Sequence, residues 1–372
     1  MKGNIIVNAT ALDSSGALTI LKQFLESIPD DQFDYFVFVN KGVYFDRNKS
    51  NVNIIHKNVK SLLKRLLWDT FGIRRWLKEK ECKPLVSISL QNTNFRTKES
   101  IPNFIYYHNS IPFAKQFWNP FKKEERPLLF YKMIYPFFVK LFMNKNTEVF
   151  VQGLYVKKCF ASFYDFPEEK IHVISPKFEL PVFHDEPPIS IDVDKLNLFY
   201  PATPFPYKNH QIIFDALSLL DKNLQKRISL YLTCEKHELK HLSYCSETLF
   251  DIHYSGRIPF NEILGMYKVS DALLFPSFIE TLGIPLIEAA SFGLPILAAD
   301  LPYSREALKS YEGVSYAQYN DAHLWKDGIL KLFSSKGKRY IPIKLEKTKS
   351  WEELFKIIGN KIKLMGGYPV QE

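Results

Sequence analysis

Short apolar runs alternate with stretches of helical spacing along most of the chain. Residues 4–9 form the first apolar run, and a polar loop separates them from a helical pattern over residues 17–24. Repeated alternation of this kind is typical of a parallel sheet covered by helices. In the first half of the chain, further strands are predicted at residues 35–39, 52–55, 85–90, 104–107 and 149–151.

The alternation pauses at residues 176–192, which contain four prolines, and then resumes. Because 372 residues exceed what one core usually supports, the pause predicts a boundary between two doubly wound, Rossmann-like α/β domains. We assign residues 1–180 to an N-terminal domain and 190–345 to a C-terminal domain. Residues 346–372 are assigned to a terminal helix that either packs on the C-terminal domain or crosses back to the N-terminal domain. Strands are predicted in the second half at residues 196–200, 228–233, 252–255, 272–275, 296–299 and 314–316, and helices at 210–220, 261–269, 285–292 and 351–362.

Composition narrows the class of protein. With 46% hydrophobic residues the chain is too apolar to be disordered, and it has no apolar run of 18 residues that would cross a bilayer. Its beginning lacks the layout of a signal peptide, so we expect a cytoplasmic protein. Four scattered cysteines fit reduced thiols better than a disulfide framework or a zinc cluster.

The net charge of +9 predicts an anionic partner, and part of it is concentrated in residues 115–145. Seven basic residues there are interleaved with nine aromatic ones. A segment lying on an anionic membrane surface and a core helix with a solvated basic face explain this pattern equally well. Nucleic acid is not expected, because no recognition motif accompanies the charge.

The most specific motif is the stretch 276–289, which reads P-S-F-I-E-T-L-G-I-P-L-I-E-A. It predicts a strand end, a turn at Gly283 and a helix beginning near Pro285, whose amino end would suit a diphosphate. Glu280 and Glu288 bracket that turn, and carboxylates accept hydrogen bonds from hydroxyl-rich ligands. Without the rest of the motif, a structural role would explain the two residues equally well, with Glu280 as a helix cap and Glu288 as a solvated helical residue.

With Gly293-Leu294-Pro295 after this stretch and Ser255-Gly256-Arg257-Ile258 before it, the second half closely resembles glycosyltransferase family 4, the retaining GT-B enzymes of bacterial surface-polysaccharide synthesis. The resemblance implies two domains facing each other across a deep cleft, with the acceptor and membrane side on residues 1–180 and the nucleotide-sugar donor on residues 190–345. It further implies that Glu280 contacts the transferred sugar and that Glu288 holds the nucleotide ribose. The residues implied to contact phosphate and sugar around the turn are Thr281, Leu282, Gly283 and Ile284.

The resemblance also places the cation that neutralises the donor diphosphate at Lys208. The family usually has Gly-Arg a few residues earlier, whereas this chain has Ala202 and Thr203. Thr203 thus occupies a donor-binding position but lacks the positive charge of the usual arginine. Arg257, together with the neighbouring Ile258, is the candidate to replace that contact with the diphosphate. In isolation Lys208 would be read as a surface lysine.

In the first half, the resemblance places a glycine-rich, donor-binding loop at Gly16 and a catalytic histidine that faces the transferred sugar at His108. Only one glycine is present, so Gly16 also fits a simple tight turn. A histidine after an apolar strand also fits a structural role. Residues 90–93 end the preceding strand with polar side chains that fit either a substrate contact or a plain turn.

A second motif, H-E-L-K-H at residues 237–241, matches the zinc-protease pattern, but its polar surroundings favour an accidental match on a surface helix. No metal or other cofactor is expected. The resemblance implies transfer of a sugar from a UDP-, GDP- or dTDP-sugar to a growing oligosaccharide, linked to polyprenyl diphosphate at the inner face of the cytoplasmic membrane. The products would be O-antigen, capsule or another surface polysaccharide. A GT-B sugar-nucleotide epimerase and a catalytically silent sugar- or membrane-binding relative remain open alternatives.

Overall fold

Two parallel sheets organise the chain, one in each of two units. The computed structural model describes residues 3–13, 15–45, 49–178, 189–240, 242, 249–344 and 351–365. Unit 1 comprises residues 1–119, 126–177 and 347–372, and unit 2 comprises residues 120–125 and 178–346.

The sheet of unit 1 has seven strands, all parallel, in the order β3-β2-β1-β4-β5-β6-β7. Its register pairs Ile6 with Phe36 on one side and with Ser87 on the other. Strand order reverses between β1 and β4, which is where open α/β sheets bind ligands. The strands are β1 (Gly3–Asn8), β2 (Phe33–Asn40), β3 (Val52–Lys57), β4 (Pro84–Ser89), β5 (Asn103–Tyr107), β6 (Thr147–Val151) and β7 (Ile171–Val173).

Helices cover both faces of this sheet, so a central strand such as β5 is buried at every position. A π-helical turn, Trp68–Gly72, joins α2 to α3, and short 3₁₀ turns lie at Ile111–Phe113 and Glu168–Lys170. The α-helices of unit 1 are α1 (Ser15–Ser27), α2 (Leu62–Leu67), α3 (Ile73–Glu79), α4 (Arg126–Met133), α5 (Tyr135–Lys140), α6 (Leu154–Tyr164) and the last helix of the chain, α13 (Trp351–Leu364).

The helix α13 completes the hydrophobic core of unit 1. Its buried residues Trp351, Leu354 and Ile358 repeat at helical spacing and join the same core cluster as α1 and strands β1, β2 and β4. The ring of Trp351 lies 4.9 Å from that of Tyr106 and 5.8 Å from that of Phe24. The chain therefore returns to unit 1 after building unit 2.

The sheet of unit 2 has six parallel strands in the order β10-β9-β8-β11-β12-β13, and its order reverses between β8 and β11. Its strands are β8 (Leu196–Tyr200), β9 (Ile228–Leu232), β10 (Asp251–Tyr254), β11 (Ala272–Phe275), β12 (Ile296–Ala299) and β13 (Val314–Ala317). Its helices are α7 (His210–Ser218), α8 (Lys222–Gln225), α9 (Phe260–Val269), α10 (Ile284–Ser291), α11 (Pro302–Ala307) and α12 (Ala322–Ser334), with 3₁₀ turns at Pro206–Lys208 and Lys236–Leu239.

These two sheets confirm the predicted α/β class with two doubly wound units. One local expectation was wrong. The helix α1 begins at Ser15, so Gly16 lies inside its first turn rather than in a loop, and a methyl group there would meet no atom within 4 Å. The segment 115–145, for which a membrane-surface segment and a core helix were both open, contains two short helices with Leu128, Tyr135 and Val139 buried. The chain turns at Ile134 between them and restarts with Pro136 in the first turn of α5. The residues 179–188 of the predicted linker lie outside the described part of the chain.

Candidate functional site

In unit 2, the loops that follow β8 and β11 are tied together at the point where strand order reverses. The backbone N–H of Phe278 donates to the carbonyl of Tyr207 at 2.9 Å, and the hydroxyl of Tyr303 donates to the carbonyl of Ser277 at 2.6 Å. The first bond fixes the loop after β11 against the 3₁₀ turn Pro206–Lys208, and the second holds the same loop against α11. Side chains from two stretches that are far apart in the sequence thereby lie next to each other.

Lys208 and Glu280 meet there as an ion pair. The Nζ of Lys208 lies 2.5 Å from Oε1 of Glu280, and the two side chains are only 17% and 15% exposed. The backbone carbonyl of Lys208 accepts a hydrogen bond from Tyr200, and Asn209 ends the turn in a left-handed conformation that asparagine tolerates. A lysine held in this way presents a positioned cation at the carboxyl end of the sheet.

The turn between the two glutamates requires glycine. Gly283 has φ +69°, and a Cβ there would lie 3.1 Å from side-chain atoms of Leu286 and of Tyr303. The helix α10 starts directly after it, at Ile284, with Pro285 in its first turn. The backbone of residues 281–284 therefore approaches the site at the positive end of a helix, an arrangement that favours an anion.

Glu288 differs from Glu280 because it is buried, with 9% of its surface exposed. Its Oε2 accepts a hydrogen bond from the hydroxyl of Tyr267 at 2.9 Å. Burial raises the pKa of the Glu288 carboxyl to about 7, although the bond from Tyr267 opposes that rise. The solvated position considered for Glu288 in the sequence is therefore wrong.

The other residues of unit 2 that were expected to bind the donor also lie at the carboxyl end of its sheet. Thr203 is half-buried in the loop after β8, and its carbonyl accepts a bond from the N–H of Phe205 at 2.9 Å. Arg257 is exposed and Ile258 half-buried after β10, which is an edge strand separated from β8 by β9. Arg257 thus lies two strands away from Lys208, the cation it was expected to assist.

In unit 1, His108 follows β5 and is held by the residues that end β4. Its backbone N–H donates to Oδ1 of Asn92 at 2.6 Å, and its Nε2 lies 3.2 Å from the carbonyl oxygen of Leu90. The same Nε2 lies 3.4 Å from the side-chain nitrogen of Asn92, so the end of β4 contacts both the backbone and the ring of His108. Burial lowers the pKa of His108 to about 4, so the ring is neutral at pH 7.

His108 lines a cavity of about 310 Å³ whose lining residues all belong to unit 1. Gln91 and Asn92 line it too, and so does Asp69, a residue that sequence reasoning missed. The one available signal was that Asp69 is the single acidic residue between Lys57 and Lys78. Gly16 is not among the residues that line this cavity.

In the described part of the chain, no group of three or more His, Cys, Asp and Glu side chains is arranged to hold a metal ion. His237 lies in the 3₁₀ turn Lys236–Leu239, and its expected partner His241 lies outside the described residues. None of the helices described is both long enough and apolar enough to span a bilayer.

Comparison with known proteins identifies the domain that carries the motif. Residues 184–348 match the family of glycosyl transferases group 1. The O-antigen chain mannosyltransferase RfbU of Salmonella typhimurium is 26% identical over 204 residues, which cover 53% of this chain and 54% of RfbU. The chain therefore spans about half of the length of this curated relative.

Solved structures resemble nearly the whole chain. Sucrose-phosphate synthase from Thermosynechococcus elongatus has a TM-score of 0.64 at 12% identity, covering 98% of this chain and 99% of that one. Anabaena Alr3699/HepE, solved in complex with UDP-glucose, has a TM-score of 0.58 at 11% identity, covering 97% and 98%. At these identities the likeness shows the fold alone, which is the GT-B fold.

Proposed function

Because residues 184–348 are a glycosyl transferases group 1 domain, we propose that this chain is a glycosyltransferase that moves a hexose from a nucleotide-sugar donor. The observation that carries the proposal is the pairing of Lys208 with Glu280 beside the glycine turn of α10. A cation, helix amides and a carboxylate in one place match the diphosphate and the hydroxyls of such a donor.

In the proposed reaction the sugar keeps its anomeric configuration, and no protein nucleophile or metal takes part. Lys208 and the backbone around Gly283 would stabilise the negative charge that develops on the leaving diphosphate. Glu280 would orient the sugar, and Glu288 would accept hydrogen bonds from the ribose. Arg257 and Thr203 would complete the phosphate contacts.

We place the acceptor in surface-polysaccharide synthesis, as a growing oligosaccharide linked to polyprenyl diphosphate. One relative is an O-antigen chain mannosyltransferase, and this supports a mannosyl donor and a role in surface-polysaccharide synthesis. A peripheral position on an anionic membrane surface is supported by exposed apolar residues on α4 and α5, with lysines nearby. These residues are Met133, Ile134, Phe137 and Leu141.

A panel of UDP-, GDP- and dTDP-hexoses, including GDP-mannose and UDP-glucose, tests the donor. Thermal unfolding should shift upward for one nucleotide class, by an amount equivalent to about 2.7 kcal/mol at a ligand concentration of 100 times the Kd. NMR of the product formed with that donor then reports the anomeric configuration. A product of inverted configuration would contradict the retaining reaction.

The alternatives give different results in the same assays. An epimerase converts the donor into a second nucleotide sugar without any acceptor. A catalytically silent relative binds the nucleotide but leaves the donor unchanged with every acceptor tested. Either result would replace the proposed transferase.

A further inference from the structure

Glu288 receives its hydrogen bond from another helix. The hydroxyl of Tyr267 donates to Oε2 of Glu288 at 2.9 Å, and the helices that carry the two residues, α9 and α10, pack against each other. Within the part of the chain that the structure describes, Tyr267 is the one hydrogen-bond partner of this carboxylate. Oε2 is therefore held by the protein, whereas Oε1 is available to a ligand.

The ring of Tyr267 is itself fixed by the core of unit 2. It is fully buried, and its centre lies 5.5 Å from that of Phe199 in a T-shaped arrangement and 6.0 Å from that of Phe292. Phe199 belongs to β8, and Phe292 follows the last turn of α10. A ring packed on two sides in this way keeps its hydroxyl in one place, so the tyrosine determines where the flexible glutamate lies.

The bond from Tyr267 also affects the charge of Glu288. Burial favours the protonated carboxyl, whereas a hydrogen bond donated to the carboxylate favours the ionised form. An ionised carboxylate accepts hydrogen bonds at both oxygens, and its bonds with hydroxyl groups are stronger than those of a neutral acceptor. Tyr267 thus supports both the orientation and the charge that a hydroxyl-bearing ligand requires.

Other charged side chains near α10 do not explain the ionisation of Glu288. The helix packs against α9, α11, β11 and β12, and the two strands contain no titratable residue. Burial and Tyr267 are the two influences on the pKa of Glu288. The charged residues of α9 and α11 that do not contribute to it are Glu262, Lys268, Arg305 and Glu306.

We propose that Tyr267 is a positioning residue of the donor site, whose hydroxyl holds the carboxylate of Glu288 so that Oε1 accepts a hydrogen bond from a ribose hydroxyl of the donor. That the bound hydroxyl belongs to a ribose rests on the function proposed above. The effect of Tyr267 on Glu288 does not, because it is measurable without any ligand.

The first experiment follows the titration of Glu288 in the protein without ligand. Carbon-13 NMR of the full chain, labelled at the glutamate carboxyls, reports this titration, and the signal that is missing in Glu288→Gln identifies the residue. In Tyr267→Phe the carboxyl should titrate at a pH about one unit higher than in the wild type, because the ionised form loses a hydrogen bond. An unchanged titration in this variant would overturn the proposal.

The second experiment measures affinity for the nucleotide sugar that the donor panel identifies. Calorimetry at pH 7 should show Tyr267→Phe binding it about three- to fivefold more weakly than the wild type, because less of the variant is ionised. The difference should shrink toward pH 9, where Glu288 is ionised in both proteins. A loss of the same size at every pH would indicate a merely structural role and would contradict the proposal.

Two controls separate Tyr267 from a general effect of removing a buried hydroxyl. Tyr311 is also buried in unit 2, and its hydroxyl donates to the carbonyl of Leu294 at 2.7 Å. Tyr311→Phe should therefore leave the titration of Glu288 and the donor affinity unchanged. In a Glu288→Gln background, Tyr267→Phe should change donor affinity by less than about twofold, since no ionisation remains to be shifted. A full loss in that background would exclude an action through Glu288.

A substitution with the opposite effect keeps the proposal testable if Tyr267→Phe does not fold. In place of Tyr267, 3-fluorotyrosine keeps the hydroxyl and makes it a stronger hydrogen-bond donor. Burial raises the pKa of Tyr267 well above its usual range, so the proton stays on the hydroxyl. Glu288 should then titrate at a lower pH than in the wild type, and no change or an upward change would overturn the role of Tyr267.

Failure of this proposal differs from failure of the proposed function. If the titration of Glu288 responds to Tyr267 but no nucleotide sugar binds the wild type, the contact between the two residues stands and its role at a donor site is wrong. If a nucleotide sugar binds but the titration does not respond, the transferase stands and Tyr267 is excluded as its positioning residue.

Discussion

The two units use the same sheet topology to build polar sites of different character. In unit 2, the reversal of strand order brings together a charged pair, Lys208 and Glu280, beside the amino end of α10. In unit 1, the equivalent reversal brings together amides, a neutral imidazole and the buried carboxylate of Asp69. The first set suits an anionic ligand, whereas the second combines the carboxylate of Asp69 with the guanidinium of Arg65, which lines the same cavity. Topology thus decides where a ligand binds, while the charge on a few side chains decides which ligand it is.

Removing the charged pair of unit 2 should have the largest effect. We expect Lys208→Ala and Glu280→Ala each to reduce transfer by about 10²–10³-fold or more, because each removes a positioned group from the developing charge or from the sugar. Transfer measured with the donor found in the panel checks this, with Lys222→Ala as the control for an exposed lysine of the same unit.

Both variants should keep the wild-type melting temperature to within a few degrees. Near-normal transfer by both purified variants would remove the pair from the mechanism.

A smaller effect should follow from the protonation of Glu288. Its pKa of about 7 means that the carboxyl changes from mostly protonated to mostly ionised between pH 6 and pH 8. Ribose hydroxyls donate to the ionised form, so the nucleotide should bind about tenfold more tightly at pH 8. Titration calorimetry with the nucleotide-sugar donor measures this, because its diphosphate is esterified at both ends and does not titrate in this interval. The variant Glu288→Gln should show little dependence on pH.

In the protein without ligand, the ionisation of Glu288 with rising pH lowers the free energy of unfolding. The folded-state pKa of Glu288 lies above the ordinary glutamate value, so its contribution to stability is complete at low pH and is lost as the pH rises through about 7. Between pH 6 and pH 8 this loss is about 1 kcal/mol. A nucleotide affinity that falls as the pH rises would exclude Glu288 as the ribose acceptor.

The smallest expected difference concerns salt. Raising the ionic strength from about 0.05 to 0.3 M should weaken nucleotide binding in unit 2 a few-fold, because salt screens the attraction between Lys208 and a diphosphate. The variant Lys208→Ala should show a weaker salt dependence, because it lacks this charge. An unchanged salt dependence in that variant would exclude Lys208 as the partner of the diphosphate.

The sequence predicted the central strands well because their signals are local. The strands β8, β11 and β12 occupy the predicted residues, since each is a short, wholly buried apolar run. The strand β7 was not predicted, because it spans only three residues at a sheet edge and shows no pattern of its own. The start of α1 was misplaced because one glycine was interpreted as a loop.

The residues of the candidate sites also differ in whether a local sequence signal predicts them. Glu280, Gly283 and Glu288 lie within nine consecutive residues, so a single local motif is enough to find all three of them. Asp69 acquires its surroundings from Asn8 and Gln91, which are distant in sequence, and from a π-helical turn that has no simple sequence signal. The burial that raises the pKa of Glu288 is likewise a product of packing, with Tyr267 coming from another helix.

The return of α13 to unit 1 has a consequence for the order of synthesis. Trp351 fills the core against Phe24 and Tyr106, yet the ribosome makes it more than two hundred residues after either of them. Unit 2 has all its residues available earlier, so during translation it can finish folding first. The unit that is begun first is therefore completed after the other, and until α13 has been synthesised, the apolar groove for this helix stays open to chaperones and to other nascent chains.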